Sequence, residues 1–428
     1  MALSVGEHLR CPDGTLINGR YKVLREVGCG NFAKVYKCED TKSPTRGPVA
    51  VKILKKEYAN DAAFENDVLK ALNARGADAH KLVHMLEQFN WNRYPCFVFS
   101  LKGPTLRSRK LGVSRGHTSV RALRCLMSEM LSALAFLHHE ARIIHTDLKP
   151  ENILLDTDEP VDSGIGRGWT IADFGSASFY RPERLDSDLI STRPYRAPEV
   201  VLGLPWSYKA DVWSMACIFV EVFHGARLFE VHEDIDHLAM FERRVGTIPL
   251  HVARQSKHFR KFFSASGTLL APTTGRNGAP PAHTLCRPLA EIFKDEPELA
   301  DLLQRMLDID SERRLSCLEA LQHPFMRARL STSPARRSGS HDKVDDAKFA
   351  AAAAMPAAPT RTTAFGDAAQ RFMNIPVPTL PPKSTAHSGV PSLDIMPSSR
   401  LHGGPMSSRD VPAAGRPTPR LLAPARLF

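Results

Sequence analysis

The chain has 428 residues, with 57 Lys+Arg against 46 Asp+Glu and 43% hydrophobic residues, enough for one large core or for two or three domains. Its formal charge of +11 invites a polyanionic partner, yet residues 327–428 alone hold 14 basic and 6 acidic residues. The other 326 residues carry 43 basic and 40 acidic ones, a near balance that calls for no nucleic-acid partner. No run approaches the ~18 apolar residues of a membrane span, and the first ten residues lack a signal-peptide core, so a soluble protein is expected. The eight cysteines show no Cys-x-x-Cys pairing and several sit in apolar runs. Reduced, packed thiols in a cytosolic or nuclear compartment follow as the expectation.

Turn formers Asp13-Gly14 and Asn18-Gly19 precede a strand that begins at Arg20–Leu24, so residues 1–20 read as a short lead and a domain starts at 21. Gly28-Cys29-Gly30-Asn31-Phe32-Ala33-Lys34-Val35 reads as a hairpin. Gly28 and Gly30 let backbone amides approach phosphates, and Val35 is placed to cover a purine. Ala33 stands where the pattern has its third glycine, so this signal alone is weak. Val49–Ile53 is a buried strand, and Lys52 within it needs charged partners because an unpaired buried ammonium is costly. ATP and a carboxylate supply them. In the helix-patterned Ala62–Leu69, Phe64, Val68 and Leu69 share a face and Glu65 is preferred to Asp67, with Glu57 and Asp61 as alternatives one turn away. Cys96–Phe99 is a further strand running into Ser100-Leu101-Lys102, whose backbone can bond a base. From Val120 to His138, Leu123, Leu126, Met127, Met130, Leu131, Leu134 and Leu137 recur at helical spacing, a core-facing helix whose methionines are packing. His138-His139 read as a C-terminal cap pair and not as metal ligands.

His145-Thr146-Asp147-Leu148-Lys149-Pro150-Glu151-Asn152 then places a carboxylate, an ammonium and a carboxamide in one short loop. Phosphoryl transfer needs this set: Asp147 to accept the proton of an attacking hydroxyl, Lys149 to neutralise charge on the γ-phosphate, and Asn152 to ligate Mg²⁺. Asp173-Phe174-Gly175 offers a second Mg²⁺ ligand in Asp173, and Ala197-Pro198-Glu199 closes the segment that follows. Between them, Asp156–Gly168 reads as a polar surface insertion and Trp169–Ala172 as a strand. Ser176, Ser178, Tyr180, Ser187, Ser191, Thr192 and Tyr195 offer hydroxyls for phosphorylation. Thr146, however, stands where many protein kinases, which these motifs resemble, have an arginine that clamps a loop phosphate, so activity independent of such phosphorylation is expected.

The three motifs in this order resemble a eukaryotic protein kinase. The resemblance implies an α+β bilobal fold over residues 21–325, a β-rich N-lobe and an α-helical C-lobe, with ATP and Mg²⁺ as cofactors and proteins as substrates. It implies Phe99 as gatekeeper, Ala50, Leu101 and Leu154 as further ATP contacts, and His145 packed behind Phe174 without acting as a base. Asp211, opening the apolar helix Val212–Phe223, is implied to accept catalytic-loop amides, and Glu199 to pair with Arg314, whose neighbour Arg313 is the one confusable with it.

His145-Thr146-Asp147, Asp173-Phe174-Gly175-Ser176-Ala177-Ser178 and Ser191-Thr192-Arg193-Pro194-Tyr195-Arg196-Ala197-Pro198-Glu199 narrow the resemblance to the CMGC group and its LAMMER, or Clk-type, kinases. Asp236-His237-Leu238-Ala239-Met240-Phe241-Glu242-Arg243 is similar to the signature helix that names them, with Asp at 236 and Phe at 241 as departures. Leu238, Met240 and Phe241 suit packing, while its charges suit a substrate groove; both readings stand. The likeness runs from about Gly14 to about Phe325 and implies serine/threonine activity with tyrosine autophosphorylation, Arg/Ser-rich substrates such as splicing factors, a monomer, and a nuclear or cytoplasmic location. No Arg-Ser-rich leader is present, which speaks against targeting that depends on one. A DYRK or SR-protein-kinase branch is the neighbouring reading, but the activation segment has no Tyr-x-Tyr and the signature helix is present. An ATP-binding scaffold without turnover is countered by the intact Lys52, Asp147, Lys149, Asn152 and Asp173.

From 326 to 428, 14 of the 32 prolines occur, and over 327–428 Leu, Ile, Val and Phe make only 17 of 102 residues, a composition expected of a disordered tail. Ser333-Pro334-Ala335-Arg336-Arg337 is a proline-directed serine in a solvated linker.

Overall fold

The computed structural model describes residues 8–108, 118–156, 168–272 and 281–328. The tail beyond Ala328 and the interior of the 156–168 insertion lie outside the described residues.

Alternating apolar and polar residues build an antiparallel six-stranded sheet from β1 (Leu16–Ile17), β2 (Tyr21–Cys29), β3 (Ala33–Asp40), β4 (Val49–Leu54), β5 (Met85–Trp91) and β6 (Tyr94–Ser100), in the order β1-β2-β3-β4-β6-β5. Because side chains alternate across a strand, Val49, Val51 and Ile53 of β4 bury with Tyr36, Cys38 and Val98. Ala50 and Lys52 are left on the opposite, half-buried face. The N-terminal lead is sewn to this sheet: Ile17 and Cys11 join the same apolar cluster, and the Tyr36 hydroxyl donates to the Leu9 carbonyl at 3.0 Å. Helix α1 (Ala59–Asn73) buries Val68, Leu69 and Leu72, with Glu65 buried beside them.

The helical lobe is organised on α2 (Val120–Ala135) and α4 (Lys209–His224), with the short α3 (Pro198–Val201) between them in sequence. Ser119 caps α2 by accepting from Ala122 N at 3.2 Å. Every residue of α4 from Ala210 to Phe223 is buried, as an all-round apolar helix requires. The end of α2 corrects the sequence reading, because Phe136–Glu140 form a wide π-type turn that carries the His138 side chain wholly inside. His138 is no cap; it bonds Asp211 Oδ2 at 2.9 Å, 73 residues away.

Four described residues of the signature-helix region spend their charge on the fold. In α5 (Asp234–Arg244), Asp234 accepts from Arg193 Nη1 at 2.5 Å, Glu242 from Ile248 N at 3.1 Å, and Arg243 and Arg244 donate to the Cys286 and Arg287 carbonyls at 3.2 Å. These bonds clamp the insert that follows the helix. Among the described residues six of the eight cysteines are buried and none is in a disulfide, while Cys29 is exposed in the glycine hairpin. Asp156, read as part of a surface insertion, instead accepts from Lys81 at 2.8 Å, Lys102 at 2.9 Å and the Thr170 hydroxyl, so it ties the connector between lobes to the sheet side.

Arg314 and Glu199 form a two-pronged pair at 2.7 and 2.8 Å with side chains 0% and 3% exposed, and Arg314 also donates to the Asp308 and Lys209 carbonyls. Arg313 lies outside, 3.4 Å from Asp308. Glu199→Gln strands a buried guanidinium and is expected to cost about 3–5 kcal/mol in urea unfolding; a loss under about 1 kcal/mol would refute this. His237 of α5 is fully buried among Phe229 and Phe241, with neither ring nitrogen hydrogen-bonded among the described residues. Burial, reinforced by Arg196 and Arg193, holds it well below its usual 6.5, so the folded chain keeps it neutral where the unfolded chain takes up a proton. Stability therefore falls as pH drops below about 6.5, and His237→Leu should flatten the decline in melting temperature between about pH 7.5 and 5.5. An unchanged slope would remove His237 as its source.

Candidate active site

The pleat of β4 aims Lys52 into the cleft between lobes, where its Nζ meets Glu65 Oε1 of α1 at 2.7 Å and Asp173 Oδ1 at 2.9 Å. Glu57 lies 4.0 Å from Lys55 instead. Burial pulls the Lys52 ammonium down, but the two carboxylates outweigh it and hold it above its ordinary range. Lys52 in turn holds the Asp173 carboxyl down at about 2, while burial pushes Glu65 up against the pull of Lys52. Gly175 lies against this pair: a Cβ there would stand in ordinary contact, 3.4 Å from Glu65 Oε2 and 3.6 Å from Asp173 Oδ1. Val35 pairs across the sheet with Lys52, Gly28 with Val35, and Ala50 with Phe99. Val35, Ala50, Phe99, Leu101 and Leu154 are all half-buried, the state of side chains that line an open cleft. Gly30 closes the hairpin by donating to the Ala33 carbonyl at 2.9 Å.

Asp211 fixes the catalytic loop. Its Oδ2 accepts from His145 N at 2.7 Å and from His138 Nε2, and its Oδ1 from Thr146 N at 2.9 Å. His138 Nδ1 in turn faces Cys317 Sγ at 3.9 Å. His145 has both ring nitrogens engaged: Nε2 donates to the Ala172 carbonyl at 3.0 Å and Nδ1 accepts from Asp147 N at 3.3 Å. With its ring 5.1 Å from that of the fully buried Phe174, it has no nitrogen left to act as a base. Thr146 and Asp173 hold φ of 68° and 67°, a region that costs a non-glycine residue about 1–3 kcal/mol. Bonds on both sides hold Thr146 there: its hydroxyl donates to Ser176 O at 2.6 Å and its carbonyl accepts from Ser191 Oγ at 2.7 Å.

Asp147 is turned toward the activation segment. Lys149 Nζ donates to its Oδ2 at 2.5 Å, while the Thr192 amide and hydroxyl donate to its Oδ1 at 2.9 and 2.7 Å. Thr192 escaped the sequence reading as an Asp147 partner because the two are 45 residues apart. The Asn152 amide nitrogen donates to the Asp147 carbonyl at 2.9 Å, which commits the nitrogen to the loop and leaves the carboxamide oxygen as its ligand end. An amide oxygen and the Asp173 carboxylate are hard oxygen donors that suit Mg²⁺, so the residues present fit that ion. The place where a phosphate-clamping arginine would act is tied to the backbone, by the Thr146 bonds and by the Arg196 guanidinium donating to the Ile190 and Ser191 carbonyls at 2.9 Å. Three further residues converge next to this loop and had no local signal: Arg107, Tyr195 and Glu221.

The family described as Protein kinase domain matches residues 21–326. Serine/threonine-protein kinase AFC1 of Arabidopsis thaliana is 33% identical over 350 residues, covering 75% of this chain and 74% of that protein. Dual specificity protein kinase CLK1 of Homo sapiens is 36% identical over 348 residues, covering 74% of this chain and 68% of that protein. The crystal structure of the PF14_0431 kinase domain superposes with a TM-score of 0.67 at 29% identity, over 74% of this chain and 98% of that one. With a lysine–glutamate pair, a loop carboxylate beside a lysine and a second cleft carboxylate all set on a bilobal fold, the chain belongs to the protein kinase family, as an ATP-dependent serine/threonine kinase of the CMGC group closely related to the LAMMER, Clk-type enzymes.

Proposed function

We propose that this kinase phosphorylates serine and threonine in Arg/Ser-rich proteins and phosphorylates itself on tyrosine, working as a monomer, with the nucleus as the favoured location. The observation that carries the catalytic part is the Asp147 carboxylate held between Lys149 and Thr192, across the cleft from the Lys52–Asp173 pair. Asp147 orients the acceptor hydroxyl and takes its proton as oxygen bonds to the γ-phosphorus and the bond to the β-phosphate oxygen breaks. Lys149 balances charge on the transferring group. Lys52, kept in place by Glu65, holds the α- and β-phosphates. Asn152 and Asp173 are the residues that would hold Mg²⁺, whose chemistry when bound is to neutralise phosphate charge. Gly28 and Gly30 give amides access to the phosphates, and Val35, Ala50, Phe99, Leu101 and Leu154 line the adenine end.

Tyrosine autophosphorylation is supported by relatives that are called dual specificity kinases, such as CLK1 and CLK4. Arg/Ser-rich substrates are supported by the resemblance of the signature helix alone. The neutral bonding around Thr146 supports catalysis that does not wait for activation-segment phosphorylation.

The full chain with Mg²⁺-ATP on a degenerate peptide array should show serine/threonine transfer with an arginine preference. Asp147→Asn should reduce kcat by about 10²-fold or more. Activity with another preference would discard the Arg/Ser substrates and keep the enzyme; silence from wild type and variant alike would leave an ATP-binding scaffold. Phosphatase-treated protein, assayed in its first turnovers, should retain its rate. Inactivity restored only by an upstream kinase would refute the independence from loop phosphate.

A further inference from the structure

A guanidinium of the chain itself occupies an acidic corner beside the acceptor site. The backbone of Leu106 and Arg107 runs along the catalytic loop, Leu106 N donating to Ile153 O at 2.8 Å and Arg107 N to Pro150 O at 3.2 Å. From there the Arg107 side chain reaches three separate elements. Its Nε donates to Glu151 Oε1 at 2.9 Å, Nη1 to Glu221 Oε1, and Nη2 to the Tyr195 hydroxyl at 2.5 Å and Glu221 Oε2 at 3.4 Å. The Tyr195 hydroxyl itself donates to Glu221 Oε2 at 2.6 Å. Burial and the adjacent Glu221 carboxylate push that phenol up, so it stays a neutral donor.

The elements involved are those that position the acceptor. Glu151 lies four residues past Asp147 in the catalytic loop, and Tyr195 three past Thr192, whose amide and hydroxyl hold Asp147. Glu221 comes up from the buried α4. Two carboxylates therefore face one guanidinium, and Glu151 Oε2 has no hydrogen-bond partner among the described residues. Side-chain exposures of 34% for Arg107 and 37% for Glu151 bring the outer side of this corner to the surface, while Glu221 and Tyr195 are buried behind it, so removing the Arg107 head would leave a recess lined by carboxylates that a guanidinium can enter from the surface. Carboxylates so arranged recognise a planar cation through paired, charge-assisted hydrogen bonds.

We propose that Arg107 is a specificity-determining residue: it fills, from within the chain, a guanidinium site made by Glu151, Glu221 and Tyr195, so that a substrate arginine at the facing position is not selected. This rests on the reading of Asp147 as the residue that orients the acceptor. It also narrows the proposed preference for basic substrates, because arginines selected at other positions must be read by other carboxylates.

The test is a position-by-position peptide array with the full chain as wild type, Arg107→Ala, Arg107→Met, Glu151→Gln, the double variant Arg107→Ala with Glu151→Gln, and Asp147→Asn as the inactive control. Arg107→Met keeps the apolar stem and serves if the alanine variant fails to fold, which thermal melting reports. At one position wild type should be indifferent to arginine, while the Arg107 variants gain about tenfold or more in kcat/KM for arginine there, through KM. The double variant should lose that gain. The proposal is overturned if folded Arg107 variants lose activity evenly across all peptides, which is the result of a merely structural arginine. It is equally overturned if wild type already selects an arginine that Glu151→Gln abolishes. Wild type as silent as Asp147→Asn would take down the kinase reading and this proposal with it, a pattern distinct from both.

Discussion

A carboxylate sunk into an apolar helix must find donors or pay a large desolvation cost, and Asp211 finds three: the amides of His145 and Thr146 and the ring of His138. The consequence is that the backbone entering the catalytic loop is held by α4, a helix buried from Ala210 to Phe223. Thr146 sits in a left-handed conformation because both its amide and its carbonyl are taken. That places Asp147 next, its amide on His145 and its carboxylate facing Thr192. The loop that carries the chemistry is thus positioned from beneath by a residue that takes no part in it.

The second set of constraints crosses the cleft. Lys52 is tied to α1 through Glu65 and to the activation segment through Asp173, so the sheet, one helix and the Asp173 carboxylate share a single ammonium. An ammonium with two carboxylates remains charged despite burial, and the low Asp173 carboxyl keeps a full negative charge available for a cation. Removing Lys52 leaves the buried Glu65 carboxylate without its complement, so the ammonium is the member on which the other two depend.

Elsewhere charge serves architecture. The arginines and acids of α5 close on backbone groups of the insert behind it and on Arg193 in the activation segment. The substrate-groove reading of these residues therefore loses ground to the packing reading: side chains already bonded at 2.5–3.2 Å inside the chain are poor candidates for a loose surface patch. Beside the catalytic loop stand instead Glu151 and Glu221, and they come with an arginine of their own.

The family, the fold class and the order of the chemical groups were legible in the amino-acid sequence because they reside in short motifs and in local periodicity: the glycine hairpin, the strand with Lys52, the loop from His145 to Asn152, and the helical spacing of α2. Other features had no local trace. His138 looked like a helix cap and is the buried partner of Asp211, 73 residues on; Asp156 looked like surface and joins Lys81 to Lys102; Arg107 reaches Glu221 across 114 residues. The signature helix was ambiguous for the same reason, since its spacing shows which residues are apolar but not what its charges meet. Periodicity reports which face of an element is buried, whereas the partner of a long polar side chain depends on which distant elements the fold brings within about 3 Å. Motif and pattern, with the pairs they imply, Lys52 with Glu65 and Glu199 with Arg314, were therefore the sequence's to determine, and the partners of His138, Asp156 and Arg107, which no motif names, were decided only when the fold brought distant elements together.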